Sequence, residues 1–327
     1  MHAPARWGLT FPLDRIPLHA QRRLVESLPD LGFTDLWSSE TNGADAFTPL
    51  ALASVWAPAL RLGTAIVPVH TRGPALIAQQ AASLADAAPG RFTLGLGSSS
   101  PVIVRDWNAV PHEQPYGRSR DMLRFLRAAL GGELVDEEYP TFRVRRFRLE
   151  RVPEPRPEVL LAALRPGMLR LAAREADGTI LNWLGAADVP TVLGEFAAPE
   201  KTVVARIFVC PTEDADHARA LGRRLIAGYL TVPAYAEFQR WLGREDALRP
   251  LWDNWAAGDR KAAAASVPDE VVDALILHGP AEKVREQIHA YAANGVDVPV
   301  PAILPTPEIL ADPAAGIPAA VRAVAPA

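Results

Sequence analysis

Short apolar runs recur along the chain, and stretches with helical spacing lie between most of them. The runs are Trp7–Phe11, Thr34–Trp37, Leu62–Val67, Phe92–Gly97, Val159–Ala163, Gly178–Asn182, Val203–Val209 and Val296–Leu304. Buried parallel strands have this form, and helices connect them. Leu24, Leu28 and Leu31 recur at spacings of four and three, one face of a helix, and Gly32 fits its stop. Ala75–Ala88 is alanine-rich and of helical length. Leu169–Ala176 continues as a helix from Pro166-Gly167 to Asp177-Gly178, and Glu282–Ala293 closes at Asn294-Gly295. Eight strand candidates alternating with helices predict an α/β fold of the (β/α)₈ TIM-barrel type.

Two stretches interrupt the alternation and read as insertions within one domain spanning 1–327. Residues 131–157 suggest a hairpin: Arg143–Leu149 alternates, and Pro153, Pro155 and Pro157 stop any strand. Its four arginines suit an anion, but a solvated edge strand is the plainer expectation. Residues 213–278 are too long for one connecting helix and carry Tyr229, Tyr235, Trp241, Trp252 and Trp255. They are expected to form a helical excursion that packs on the barrel and roofs the site. The segment after Asp312 is Ala/Pro-rich and of low complexity.

Composition narrows the function. A net charge of −4 gives no basic surface for nucleic acid or an anionic membrane. No apolar run approaches the roughly 18 residues of a membrane span. Met1-His2-Ala3-Pro4 lacks the basic and apolar regions of a signal peptide, so a cytoplasmic protein is expected. Cys210 is the single cysteine, which excludes an internal disulfide and a cysteine-based metal cluster. The histidines form no ligand spacing, so no metal is expected.

In such folds chemistry sits at the carboxyl ends of the strands. Gly95-Leu96-Gly97-Ser98 invites a dinucleotide-binding interpretation. It lacks the third glycine, Pro101 follows almost at once, and no acidic ribose partner is placed. Arg165-Pro166-Gly167-Met168 follows one strand and opens a helix. Free N–H groups at a helix N-terminus bind phosphate, glycine lets a ligand approach, and Arg165 adds a charged donor. An ordinary strand-to-helix turn has the same residues. Glu40, just past the second strand, and His70, past the third, are the candidate catalytic side chains. A capping carboxylate and a structural histidine are the plainer alternatives.

Taken together, several segments resemble the bacterial luciferase-like flavin and deazaflavin oxidoreductases. They include Leu31-Gly32-Phe33-Thr34-Asp35-Leu36-Trp37-Ser38-Ser39-Glu40, Leu62-Gly63-Thr64-Ala65-Ile66-Val67-Pro68 and Gly90–Gly97. Trp7-Gly8-Leu9, Thr71-Arg72-Gly73-Pro74, Ala176-Asp177-Gly178, His278-Gly279-Pro280-Ala281-Glu282-Lys283-Val284 and Asn294-Gly295-Val296 complete the match. The resemblance implies a barrel that binds coenzyme F420, or alternatively FMN, at the strand ends. It places a non-prolyl cis peptide at Ala65–Ile66, the ring near Glu40, Gly97 and Ser98, and the phosphate end at Arg165, Pro166, Gly167 and Met168. The family's Asp-His pair after the second strand is Glu40-Thr41 here, and Ser98-Ser99-Ser100 stands where its glutamate occurs. These departures disfavour a carbinol-oxidising mechanism. They fit hydride transfer from the reduced deazaflavin to a small organic substrate, with His70 as proton donor. An FMNH₂-dependent two-component monooxygenase and a non-catalytic cofactor-binding protein remain open alternatives, as does homo-oligomerisation.

Overall fold

A computed structural model describes residues 6–326. The Met1–Pro4 segment read for a targeting signal lies outside the described residues. The strands in chain order are β1 (Gly8–Thr10), β2 (Asp35–Ser38), β3 (Arg61–Thr64), β4 (Val67–Pro68), β5 (Phe92–Gly97), β6 (Val135–Tyr139), β7 (Phe142–Phe147), β8 (Glu158–Ala162), β9 (Gly178–Asn182), β10 (Thr202–Cys210), β11 (Ile276–His278) and β12 (Val298–Ile303). The helices of the first half are α1 (Arg22–Ser27), α2 (Phe47–Trp56), α3 (Pro74–Ala87), α4 (Pro115–Leu130), α5 (Pro166–Glu175) and α6 (Val189–Phe196). Those of the second half are α7 (Ala215–Tyr229), α8 (Pro233–Trp241), α9 (Glu245–Ala256), α10 (Arg260–Ala265), α11 (Asp269–Leu275), α12 (Ala281–Ala293), α13 (Pro307–Ala311) and α14 (Pro313–Ala323).

All eight expected strands are present and parallel, in the order β1-β2-β3-β5-β8-β9-β10, with β12 on the other edge of β10. The third run is split in two: β3 pairs with β5 at Leu62 and Gly63, and β4 resumes at Val67 opposite Leu96. Between them the Ala65–Ile66 peptide is cis. Among the described residues no ladder joins β12 to β1. That seam closes by packing, with Val300 close enough that a Cβ on Gly8 would meet its Cγ2 at 2.9 Å.

The barrel interior is a small apolar cluster of Trp37, Leu160, Ile180, Val204, Val298 and Val300. Trp37 is its largest member, and the backbone around it makes room. A Cβ on Gly63 would lie 2.3 Å from the indole ring. Thr64 locks the next layer: its hydroxyl donates to Gly95 O at 2.9 Å and accepts from Gly95 N–H at 2.8 Å. The helices cover the outer faces of the strands with a second, larger apolar layer, as barrels of this kind require.

One expectation needs correction. The first helix stops at Ser27 rather than running to Leu31, because Pro29 cannot donate to the ladder and opens a 3₁₀ turn. Gly32 still ends the segment, at φ +86°. The Ala/Pro-rich tail forms α14. Asp312 caps α14 through Ala314 N–H, and Ile317, Ala320 and Val321 are buried. The β7 arginines fit the plainer expectation of a solvated strand: Arg143 and Arg145 are exposed and lie within 4 Å of Glu138 and Asp136 on β6. Among the described residues no helix is long and apolar enough to cross a membrane.

Candidate active site

The carboxyl ends of β3, β5, β8 and β9 and the middle of β10 surround a cavity of about 950 Å³, and Val232–Trp241, including α8, covers one side. The excursion therefore contributes Tyr235 and Trp241 to the site. Trp252 and Trp255 instead pack in a separate apolar cluster, where Trp252 Nε1 donates to Leu230 O at 2.9 Å.

One end of the cavity is the turn into α5. Arg165 has extended backbone (φ −123°, ψ 162°), Pro166 occupies the first turn, and no side chain caps the helix. Met168 and Leu169 N–H groups both donate to Arg165 O at 3.0 Å, which leaves the Gly167 N–H without a backbone partner. Gly167 is exposed to the cavity, and a Cβ there would meet no heavy atom within 4 Å. Protein packing does not demand glycine at this place; free space at a helix N-terminus suits a phosphate. The other end is Ala65, Ile66, Gly97 and Ser98, where a Cβ on Gly97 would crowd Ile66 at 3.0 Å and Ala162 at 3.3 Å. All eight cofactor-contact positions expected from Ala65 to Met168, other than Glu40, line this one cavity. The space, the bare N–H and the flat apolar back wall fit a phosphorylated ring cofactor.

Glu40 and His70 stand behind the wall. The Glu40 carboxylate is held by Arg72 Nη1 at 2.5 Å and Ala46 N–H at 3.2 Å, and its own N–H donates to Ile66 O at 3.3 Å. His70 is buried, with Nε2 3.1 Å from Glu113 O. A carbonyl only accepts, so Nε2 carries the proton and the buried Nδ1 has no partner. His112, whose sequence context offered no signal, is the histidine on the cavity wall. Its ring lies 4.9 Å from that of His70, and its Nε2 donates to Ser98 O at 3.2 Å. A further cavity of about 380 Å³ lies elsewhere, between Arg219, Asp273, His278 and Lys283.

Burial lowers the His70 pKa below its ordinary value, against the opposing pull of the Glu113 carbonyl. The unfolded chain therefore binds the extra proton first, and stability falls as pH drops below about 6.5 toward the lowered folded value. His70→Asn is expected to show a shallower fall in Tm than the parent between about pH 7 and 5. Parallel curves would show that another group sets the acid sensitivity.

With this geometry in hand, likeness to known proteins becomes informative. The sequence profile of the luciferase-like monooxygenases matches residues 3–298. The chain belongs to that family. Membership makes it an oxidoreductase. A Mycobacterium tuberculosis protein provisionally named a coenzyme F420-dependent oxidoreductase is 27% identical over 328 residues, covering 90% of this chain and 92% of that protein. The structure of the F420-dependent tetrahydromethanopterin reductase from Methanopyrus kandleri superposes with a TM-score of 0.78 at 19% identity, over 99% of this chain and 98% of that one. The oxygenating component of 3,6-diketocamphane monooxygenase from Pseudomonas putida, in complex with FMN, gives 0.66 at 17% identity, over 98% and 96%. At those identities the two structures support the fold alone, the TM barrel expected from the sequence.

Proposed function

We propose that this family member binds coenzyme F420 in the 950 Å³ cavity and transfers hydride between it and a small organic substrate. The observation that carries the proposal is the pairing of two features on one cavity: the apolar back wall at Ala65 and Ile66 and the open Gly167 at the start of α5. The similarity to a relative named for coenzyme F420 over most of both chains supports the choice of cofactor. When bound, that coenzyme supplies a hydride carrier whose reduced form reacts slowly with oxygen, because carbon replaces the flavin N5.

The chain's own residues do the rest. Arg165 and the Gly167 N–H bind the phosphate end. Ile66 and Gly97 back the ring. Glu40 acts as a positioning residue, because its N–H and its bond to Ala46 hold the loop beside Ile66. His112 faces the substrate side of the wall and moves the proton, with His70 stacked behind it in the neutral form. Tyr235 and Trp241 exclude water from above.

The family description and the FMN-bound neighbour favour one alternative, a monooxygenase that uses FMNH₂ and O₂. Titration with both cofactors, followed by assay on enones, imines and aromatic rings under strict anaerobiosis, separates the two. The expected result is tight binding of coenzyme F420, weak binding of FMN and substrate reduction at full rate without oxygen. Strict dependence on O₂ with FMNH₂, and ¹⁸O in the product, would overturn the assignment.

A further inference from the structure

Arg206 is a charged residue inside an otherwise apolar barrel strand. Two positions earlier, Val204 packs in the barrel interior, and alternation along β10 brings Arg206 to the same face one layer higher. Its register partners are Asn182 on β9 and Val300 on β12. The side chain lines the cavity mouth and is half-buried, with its guanidinium 4.8 Å over the Phe208 ring. Its Nε is fully buried and has no hydrogen-bond partner. The neighbours that act on its charge are Tyr229, Tyr235 and the more remote Asp14, and none of them forms an ion pair with it among the described residues. Burial disfavours its charged form, and burial also pushes the Tyr235 hydroxyl up to about 12, so Tyr235 is a neutral donor beside it.

An arginine kept inside a barrel without a carboxylate is expensive unless a ligand supplies the anion. We propose that Arg206, assisted by Tyr235, is the anchor for a carboxylate on the substrate, and that the substrate is an organic acid with an apolar body. The proposal rests on the assignment of this cavity as the hydride-transfer site. Position separates it from cofactor binding. In the order β3-β5-β8-β9-β10, β10 stands four places from β3 in a ring of eight, directly across the mouth. A ring held against Ala65 and Ile66 would leave the opposite side of the cavity, where Arg206 stands, to the substrate, and the β8–α5 turn lies between the two. The guanidinium fork matches a carboxylate in two parallel bonds. Ile180, Leu164, Val232 and Trp241 supply the apolar wall for the remainder of the molecule.

Tryptophan fluorescence provides the test, since Trp183 stacks on Phe208 at 4.4 Å and Trp241 lines the cavity. Benzoate, cinnamate and 4-phenylbutyrate are titrated against their three neutral amides, with and without bound coenzyme F420. At least one acid is expected to bind tenfold or more tightly than its amide. Arg206→Met is expected to erase that preference to within twofold, Arg206→Lys to retain part of it, and Tyr235→Phe to weaken it about threefold. Both Arg206 variants are checked by thermal melting, and the coenzyme Kd is expected to stay within twofold of the parent. No preference for any acid would overturn the proposal. So would a tenfold loss of coenzyme affinity in Arg206→Met with the acid preference intact, which would give Arg206 to the cofactor. An Arg206-dependent acid preference in a protein that fails to bind the coenzyme would support the anion site and sink the cofactor assignment instead.

Discussion

Gly167→Glu is expected to weaken binding of a phosphorylated cofactor at least tenfold, about 1.4 kcal/mol, while the protein melts at an unchanged or slightly higher temperature. The two effects have opposite signs for one reason. A Cβ at Gly167 meets nothing within 4 Å and opens onto the cavity, so the fold has room for a substitution. A carboxylate in the first turn of α5 also favours the helix dipole, by about 0.3–1 kcal/mol. The same negative charge would occupy the place where the bare N–H meets phosphate. Isothermal titration with coenzyme F420 beside a thermal melt checks both halves. Unchanged affinity would place the phosphate elsewhere on the mouth, and a collapsed melt would show that glycine is needed for folding after all.

A larger loss in stability is expected from Trp37→Ala. The indole is 1% exposed at the centre of the barrel, and removal of such a side chain costs about 3–5 kcal/mol. The neighbouring glycine gives a sharper test than the single variant. Gly63→Ala alone should be strongly destabilising, because its Cβ would sit 2.3 Å from the ring. In the Trp37→Ala background that Cβ enters vacant space, so the double variant should be more stable than the sum of the two losses implies. Urea denaturation of the four proteins measures the coupling. Additive losses would mean that the barrel relaxes around either change independently.

The strands were legible because each is a largely apolar run of barrel length. Phe92–Gly97 and Gly178–Asn182 match to the residue. The turn into α5 was legible for a related reason, since proline and glycine after a strand have few uses besides opening a helix. Side-chain commitments were not legible. Nothing in the local sequence of Glu40 says that Arg72, 32 residues on, will hold its carboxylate behind the wall. His112 lies in a loop without periodicity, and only the fold brings it beside His70 and Ser98. Arg206 did leave a trace: it shares the inward parity of Val204 in a strand expected to be buried on both faces. Read as one position in Val203–Val209, it passed as part of an apolar run. Likewise Pro29 was present to end α1, but the leucine spacing around it hid the break.

The seam between β12 and β1 also sets an order of events in synthesis. β1 is made early, yet the neighbour that must close against it is made only when Val298–Ile303 appears. The bond that ties the first strand's flank to the end of the barrel, from Trp7 Nε1 to Val324 O at 3.0 Å, spans 317 residues. Until then β1 and β10 each present an unpaired edge, and contacts that distant are the slow ones to form. The nascent chain thus carries an open sheet until Val298–Ile303 emerges, and only then can the ring of strands close.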